Sequence, residues 1–295
     1  MGRFHPWAVP DPEPDSDPYL LHCVTTGTGV TTGSTSGSGP PLVLIHGVAG
    51  SQMVWDRIVP LLEPHFTIVR MDLLGYGHSP KPRVRHTPLR HVTAIRRTLA
   101  HEGVTGPIVL VGLSMGSNLM LEYALRWPDE VRAMIGIGFP FYPTEAAARI
   151  GLRHNLWTRL ALQVPLLASI IVPLVWWAGR LAPGVLSRNA TIYTGEMAKD
   201  ALRARYQSFR SSLLHCMVNY RLQEPLRASG STRRLFIHGS DDQWASVEAV
   251  RQALHPYPLS ELHVIEDAPH NLAVAEPART AALILDHMGW QADPA

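Results

Sequence analysis

Apolar residues along this chain fall into short runs, separated by stretches with helical spacing. Leu42-Val43-Leu44-Ile45 is unbroken, and residues 67–71, 107–111, 131–138, 234–238 and 262–265 are short and mainly apolar, with an isolated Arg or His in several of them. Runs of this length without polar alternation suit strands buried on both faces. Residues 19–26 alternate and predict a first strand. Helices are predicted from Ser51, a capping residue, to about Leu62, and over residues 89–101, 118–127, 247–254 and 273–288. Strands alternating with helices predict an α/β fold on a mostly parallel, doubly wound sheet.

The rhythm stops between residues 139 and 230, which show helical segments broken by Pro and Gly and no strand pattern. The expected organisation is a flexible Pro- and Asp-rich tail over residues 1–18, a core from 19–139 and 231–295, and an inserted helical cap, or lid, over 140–230. The run from Gly27 to Gly39 is almost all Gly, Ser and Thr, with Val30 its single apolar residue, and is expected to be a flexible connector. Residues 160–179 contain no charge over twenty positions, long enough to span a bilayer. Gln163, Pro165 and Pro173 interrupt them, and a span here would separate candidate site residues on either side. A helix pair buried in the cap or facing substrate is expected instead. Transient membrane or lipid contact is the alternative, supported by Trp176-Trp177 and nearby arginines.

Composition narrows the field modestly. The chain has 295 residues, 46% of them hydrophobic, enough for one large domain with an insertion. A net charge of +2 does not suggest a nucleic-acid partner. Residues 140–230 hold eleven Arg or Lys against Glu145, Glu196, Asp200 and Glu224. This excess fits a solvated basic face, an anionic substrate or an anionic membrane surface. The two cysteines, Cys23 and Cys216, make no disulfide framework, which is consistent with a reducing compartment. The opening residues lack a signal-peptide core, and Pro6 breaks the myristoylation pattern after Gly2. A cytoplasmic protein is expected.

The candidate chemistry starts at Gly112-Leu113-Ser114-Met115-Gly116, a G-x-S-x-G between a predicted strand and a predicted helix. That context is what a nucleophile elbow requires. The flanking glycines keep side chains out of the neighbouring strand and helix. Serine needs a base to lose its proton at neutral pH, and the base needs a third group to orient it. Among fifteen histidines, His270 follows the last predicted strand and precedes the last helix, where a base reaches the elbow. The acid should follow the preceding strand, where Asp241 and Asp242 are both candidates.

The order Ser, Asp, His resembles the α/β-hydrolase superfamily, in its cap-bearing serine esterase and C–C hydrolase branch. The resemblance covers about residues 20–139 and 231–288. It rests on His46-Gly47-Val48-Ala49-Gly50-Ser51, Asp72-Leu73-Leu74-Gly75-Tyr76-Gly77-His78-Ser79, the Ser114 elbow, Gly239 to Asp242, and Pro269-His270. It implies the α/β-hydrolase fold. It implies Asp242 as the acid, three residues after the loop glycine, and Val48 and Met115 as oxyanion-hole N–H donors. The Asp72 loop looks like the family's structural turn. Relatives with Asp at the elbow include dehalogenases and epoxide hydrolases, whereas Ser114 points to acyl transfer to water.

No H-E-x-x-H or phosphate loop is present, so neither metal nor cofactor is expected. His86, His91 and His101 are expected at the surface. Trp157, Trp176, Trp177 and Trp244 suggest an aromatic-lined pocket for a hydrophobic small-molecule ester, or packing within the cap. Carboxylester hydrolysis is the leading expectation. C–C cleavage of a dicarbonyl compound is the nearest rival, although Leu113 stands where that branch often carries Asn. Thioesterase, perhydrolase and lid-bearing lipase activities use the same triad. A non-catalytic ligand receptor on this fold would not need it.

Overall fold

The computed structural model describes residues 18–27, 39–181, 197, 199–200 and 202–290. Nearly all of the expected tail, the Gly/Ser/Thr connector and part of the expected cap lie outside the described residues. Seven strands form one sheet: β1 (Cys23–Thr26), β2 (Pro41–Ile45), β3 (Thr67–Met71), β4 (Ile108–Leu113), β5 (Val131–Ile137), β6 (Arg234–Gly239) and β7 (Ser260–Ile265). Their order is β1-β3-β2-β4-β5-β6-β7, with only β1 antiparallel to its neighbour. The chain therefore winds outward from β2 in both directions. Loops leaving the ends of β2 and β4 diverge there and leave a crevice, as at other switch points of doubly wound sheets.

The central strands are apolar because helices cover both faces. Val43, Ile45, Val69, Leu110, Met134 and Phe236 pack into one core. Their neighbours Leu42, Leu44, Ile68, Val109, Ile135 and Ile237 pack into the other. The edge strand β7 alternates between half-buried and exposed positions, so it starts two residues earlier than its apolar run shows.

Two predicted helices are broken. Ser51 caps only a 3-10 turn, Gln52–Trp55, and the helical run restarts as a single turn, Val59–Leu62. Pro60 has no N–H for the carbonyl four residues earlier and clashes with it, so one continuous helix cannot form. The C-terminal helix divides into Leu272–Ala275 and Pro277–His287. Pro277 opens the second part, and Glu276 before it leaves the helical region at φ −129°. Helices Pro88–His101, Met115–Arg126 and Val247–Leu254 lie where expected.

Between β5 and β6 the described residues form helices and no strand: Glu145–Gly151, Leu156–Gln163, Pro165–Leu181, Tyr206–Ser212 leading into a π-helical stretch Leu213–Val218, and Gln223–Ala228. The uncharged run is thus two helices, separated at Val164 before Pro165. Among the described residues no helix is long and apolar enough to cross a membrane. Polar contacts tie this insertion to the core. Ser211 Oγ accepts the His86 N–H at 2.9 Å, and the His91 ring lies 3.2 Å from Ser212 Oγ. His86 and His91 are consequently buried under the insertion, not at the surface as expected, while His101 is exposed.

Candidate active site

Strand β4 runs into helix Met115–Arg126 through Ser114, whose backbone takes φ 52° and ψ −121°. A positive φ is costly for a residue with a side chain and persists only where its surroundings impose it. Here the Ser114 N–H donates to the Ile137 carbonyl at 2.8 Å, and Ser117 Oγ donates to the Gly112 carbonyl at 2.7 Å. The flanking glycines are required by contact. A Cβ on Gly116 would sit 2.1 Å from the Ile45 carbonyl oxygen, and one on Gly112 would sit 2.4 Å from the Gly116 backbone. Met115 is the first residue of the helix, so its N–H has no intrahelical acceptor.

The turn after β2 comes up against the same serine. A Cβ on Gly47 would approach Ser114 Cβ to 3.1 Å. Val48 lies in this turn, which the Gly50 N–H closes onto the Gly47 carbonyl at 3.2 Å. His46 anchors the turn. Its Nε2 accepts the Leu73 N–H at 2.9 Å, so Nδ1 carries the proton and donates to the Gly47 carbonyl at 2.7 Å. Burial favours the neutral ring, lowering the His46 pKa.

His270 and Asp242 approach from the loops after β7 and β6. His270 Nδ1 is 2.7 Å from Asp242 Oδ2, and Oδ1 accepts the N–H groups of Trp244 at 2.8 Å and Ala245 at 3.1 Å. Burial opposes ionisation of Asp242, but the hydrogen bond and charge of His270 and the Trp244 N–H outweigh it and hold the carboxyl below its ordinary value. Asp241 is placed differently: its carboxylate takes the Ser240 hydroxyl at 3.3 Å in an exposed position. Gly138, at φ 56°, makes room for His270, since a Cβ there would meet its ring at 2.9 Å.

Ser114, His270, Gly47 and Val48 line one cavity of about 150 Å³. Trp157, Trp176 and Trp244 line it too. Trp177 does not, and the expectation that it would is corrected here: it is 61% exposed, whereas Trp176 is 6% exposed. One helical residue is a 100° turn, so adjacent tryptophans on a surface helix face different surroundings. Asn155, Thr158, Phe209 and Asn271 also line the cavity and were not anticipated. Asn155 carries a visible signal, but a structural one. It caps helix Leu156–Gln163, accepting the Trp157 N–H at 2.8 Å.

Residues 40–162 match the family model described as the alpha/beta hydrolase fold. A 2-(acetamidomethylene)succinate hydrolase from Mesorhizobium japonicum is 30% identical over 149 residues, which is 49% of this chain and 52% of that protein. A 2-hydroxy-6-oxo-6-(2'-aminophenyl)hexa-2,4-dienoic acid hydrolase from Metapseudomonas resinovorans is 29% identical over 95% of each chain. The solved structure of a thermophilic esterase from Thermogutta terrifontis superposes with a TM-score of 0.68 at 22% identity, over 91% of this chain and 93% of that one. The chain has the α/β-hydrolase fold.

Within this fold the Asp72 turn supports the site without lining its cavity. Asp72 Oδ1 accepts the Gln52 N–H at 2.9 Å and Oδ2 the His78 N–H at 2.8 Å. The turn thereby braces the Leu73 N–H that holds His46. Among the described residues His22, Asp72 and His78 form the one group with metal-ligand spacing. Asp72 is already spent on those two N–H groups, which favours the structural reading. His238 is a further unanticipated neighbour, buried 3.8 Å from Asp242 Oδ2, and burial pulls its pKa down to about 4. A larger cavity of about 580 Å³ lies beside helix Pro88–His101. The Arg96–Glu130 ion pair spans its lining, which contains no Ser, Cys or His.

Proposed function

We propose that this protein is a serine hydrolase that cleaves a carboxylic ester of a hydrophobic small molecule. The observation that carries this reading is the pairing of an elbow serine at positive φ with a part-buried His270–Asp242 hydrogen bond beside one apolar cavity. His270 takes the Ser114 proton through Nε2 as Oγ attacks the ester carbonyl. Asp242 keeps the His270 proton on Nδ1 and stabilises the imidazolium. The N–H groups of Val48 and Met115 receive the oxyanion, and losing one such donor costs about 3–4 kcal/mol. His270 then protonates the departing alcohol, and a water activated by the same ring releases the acid from Ser114. Trp157, Trp176 and Trp244 favour an apolar acyl or alkyl group against the reacting carbon.

A second reading has one specific support. The relative matched over 95% of each chain is named for a 2-hydroxy-6-oxo-dienoic acid, whose enol and ketone groups sit at the two ends of a conjugated diene. Hydrolysis of a C–C bond in such a dicarbonyl compound would use the same residues. The test is intact-protein mass after fluorophosphonate treatment, followed by assay on paired aryl esters and dicarbonyl compounds. A single adduct on the wild type and none on Ser114→Ala is expected, with turnover of the ester. Turnover of the dicarbonyl compound alone would favour the second reading. A folded Ser114→Ala protein with full turnover would refute both.

A further inference from the structure

Helix Pro165–Leu181 has two faces of different character. Ala168, Val172 and Trp176, spaced at i, i+4 and i+8, are buried in the core, and Trp176 faces the cavity and Phe209. Leu166, Ile170, Leu174 and Trp177 form the opposite stripe, at 85%, 62%, 60% and 61% exposure. Leu167 and Ile171 widen it. The neighbouring helix Leu156–Gln163 adds Leu156, also exposed, and Val164 lies between the two. Contiguous exposed apolar surface of this kind marks an interaction site.

The charge around the patch is one-sided. Residues 146–195 include five arginines and neither Asp nor Glu. Among the described ones, Arg153 and Arg159 are exposed. Arg159 stands three residues after exposed Leu156, on the same face of its helix. A second copy of this chain would bring like charges together around the apolar contact. An anionic surface that also accepts aliphatic side chains meets both requirements. Arginines there bury their stems and hold their charge at the headgroups.

We propose that the outer face of helix Pro165–Leu181, with the basic rim at Arg153 and Arg159, docks on an anionic lipid surface. The helix lies flat on that surface and does not cross it. The same helix supplies Trp176 to the cavity beside Ser114, so docking sets the cavity against the membrane plane. Docking needs no catalysis and stands whether or not the proposed reaction is correct.

The experiment is flotation of the full-length wild type with vesicles of phosphatidylcholine alone or mixed with phosphatidylglycerol, at low and high salt. Two variants run beside it, Leu166→Ser/Ile170→Ser/Leu174→Ser and Arg153→Glu/Arg159→Glu. Circular dichroism and fluorophosphonate labelling check that both are folded and that the site is untouched. The expected result is binding of the wild type to the mixed vesicles, weakened by salt and weak on phosphatidylcholine alone. The apolar variant should lose binding. The arginine variant should lose tenfold or more, since each basic side chain at such a surface is worth about fivefold. Failure of the folded wild type to bind the mixed vesicles would overturn the proposal, as would undiminished binding by the apolar variant. A wild-type dimer in sedimentation that the apolar variant dissociates would assign the face to a second copy instead. A protein that floats but takes no fluorophosphonate would sink the serine-hydrolase reading and leave the docking surface standing.

Discussion

Replacing Asp242 with Asn tests the acid–base assignment, because the two oxygens of Asp242 have unequal duties. Oδ1 accepts two backbone N–H groups, from Trp244 at 2.8 Å and Ala245 at 3.1 Å, while Oδ2 faces His270 Nδ1 at 2.7 Å. An asparagine keeps its oxygen toward the two N–H groups, since the flipped amide would set donors against donors on both. Its NH2 group then faces Nδ1, which must give up its proton and become an acceptor. The ring proton moves to Nε2, the atom that has to take the proton from Ser114. The base is disabled with little change in shape. The expected loss is about 10,000-fold in ester turnover, or roughly 5 kcal/mol of transition-state stabilisation. Two of the three hydrogen bonds survive, so the melting temperature should move little. The assay is the second-order rate of fluorophosphonate labelling together with ester hydrolysis, on Asp242→Asn and Asp241→Asn in parallel. Asp241 is exposed, with its carboxylate on the Ser240 hydroxyl, so its variant should stay within about twofold of wild type. Labelling of Asp242→Asn within tenfold of wild type would refute the tautomer argument. Loss confined to Asp241→Asn would transfer the role to that residue.

Two further outcomes follow from packing and burial. Gly116→Ala places a Cβ 2.1 Å from the Ile45 carbonyl, a backbone atom that cannot swing away, so it should destabilise the protein by about 3 kcal/mol in urea unfolding and slow labelling of Ser114. A variant as stable as wild type would show that β2 and the elbow helix are not in that contact. Burial pulls both His86 and His238 down to about 4 from an ordinary 6.5, so the unfolded chain binds their protons first as the pH falls. Their stability is fully present above pH 6.5 and is lost as the pH drops from 6.5 toward 4, by up to about 3 kcal/mol for each ring. Unfolding free energies that stay flat down to pH 4.5 would contradict the buried neutral state of these rings.

Much of the frame of the candidate site was legible along the chain because its signals are local. The elbow is a five-residue pattern whose glycines are dictated by contacts within one strand–turn–helix unit. Strands β2 and β4 announce themselves because a strand covered on both faces has no polar positions. His270 was legible from its place after the last strand and before the last helix. Other features depended on segments far apart in sequence. Asp241 and Asp242 are equivalent by composition, and only the family resemblance pointed to Asp242. Only the meeting of the β6 and β7 loops turns one toward His270 and leaves the other in solvent. His86 and His91 look like surface residues until the Tyr206–Ser212 helix packs on them. Trp176 and Trp177 are one pair in sequence and two environments in space, because the phase of a helix is set by what it packs against. Thus the sequence alone determined the type of fold and the chemistry available to it, through local patterns. Tertiary structure decided which carboxylate, which tryptophan and which histidines share an environment, because burial and orientation are properties of contacts between distant segments.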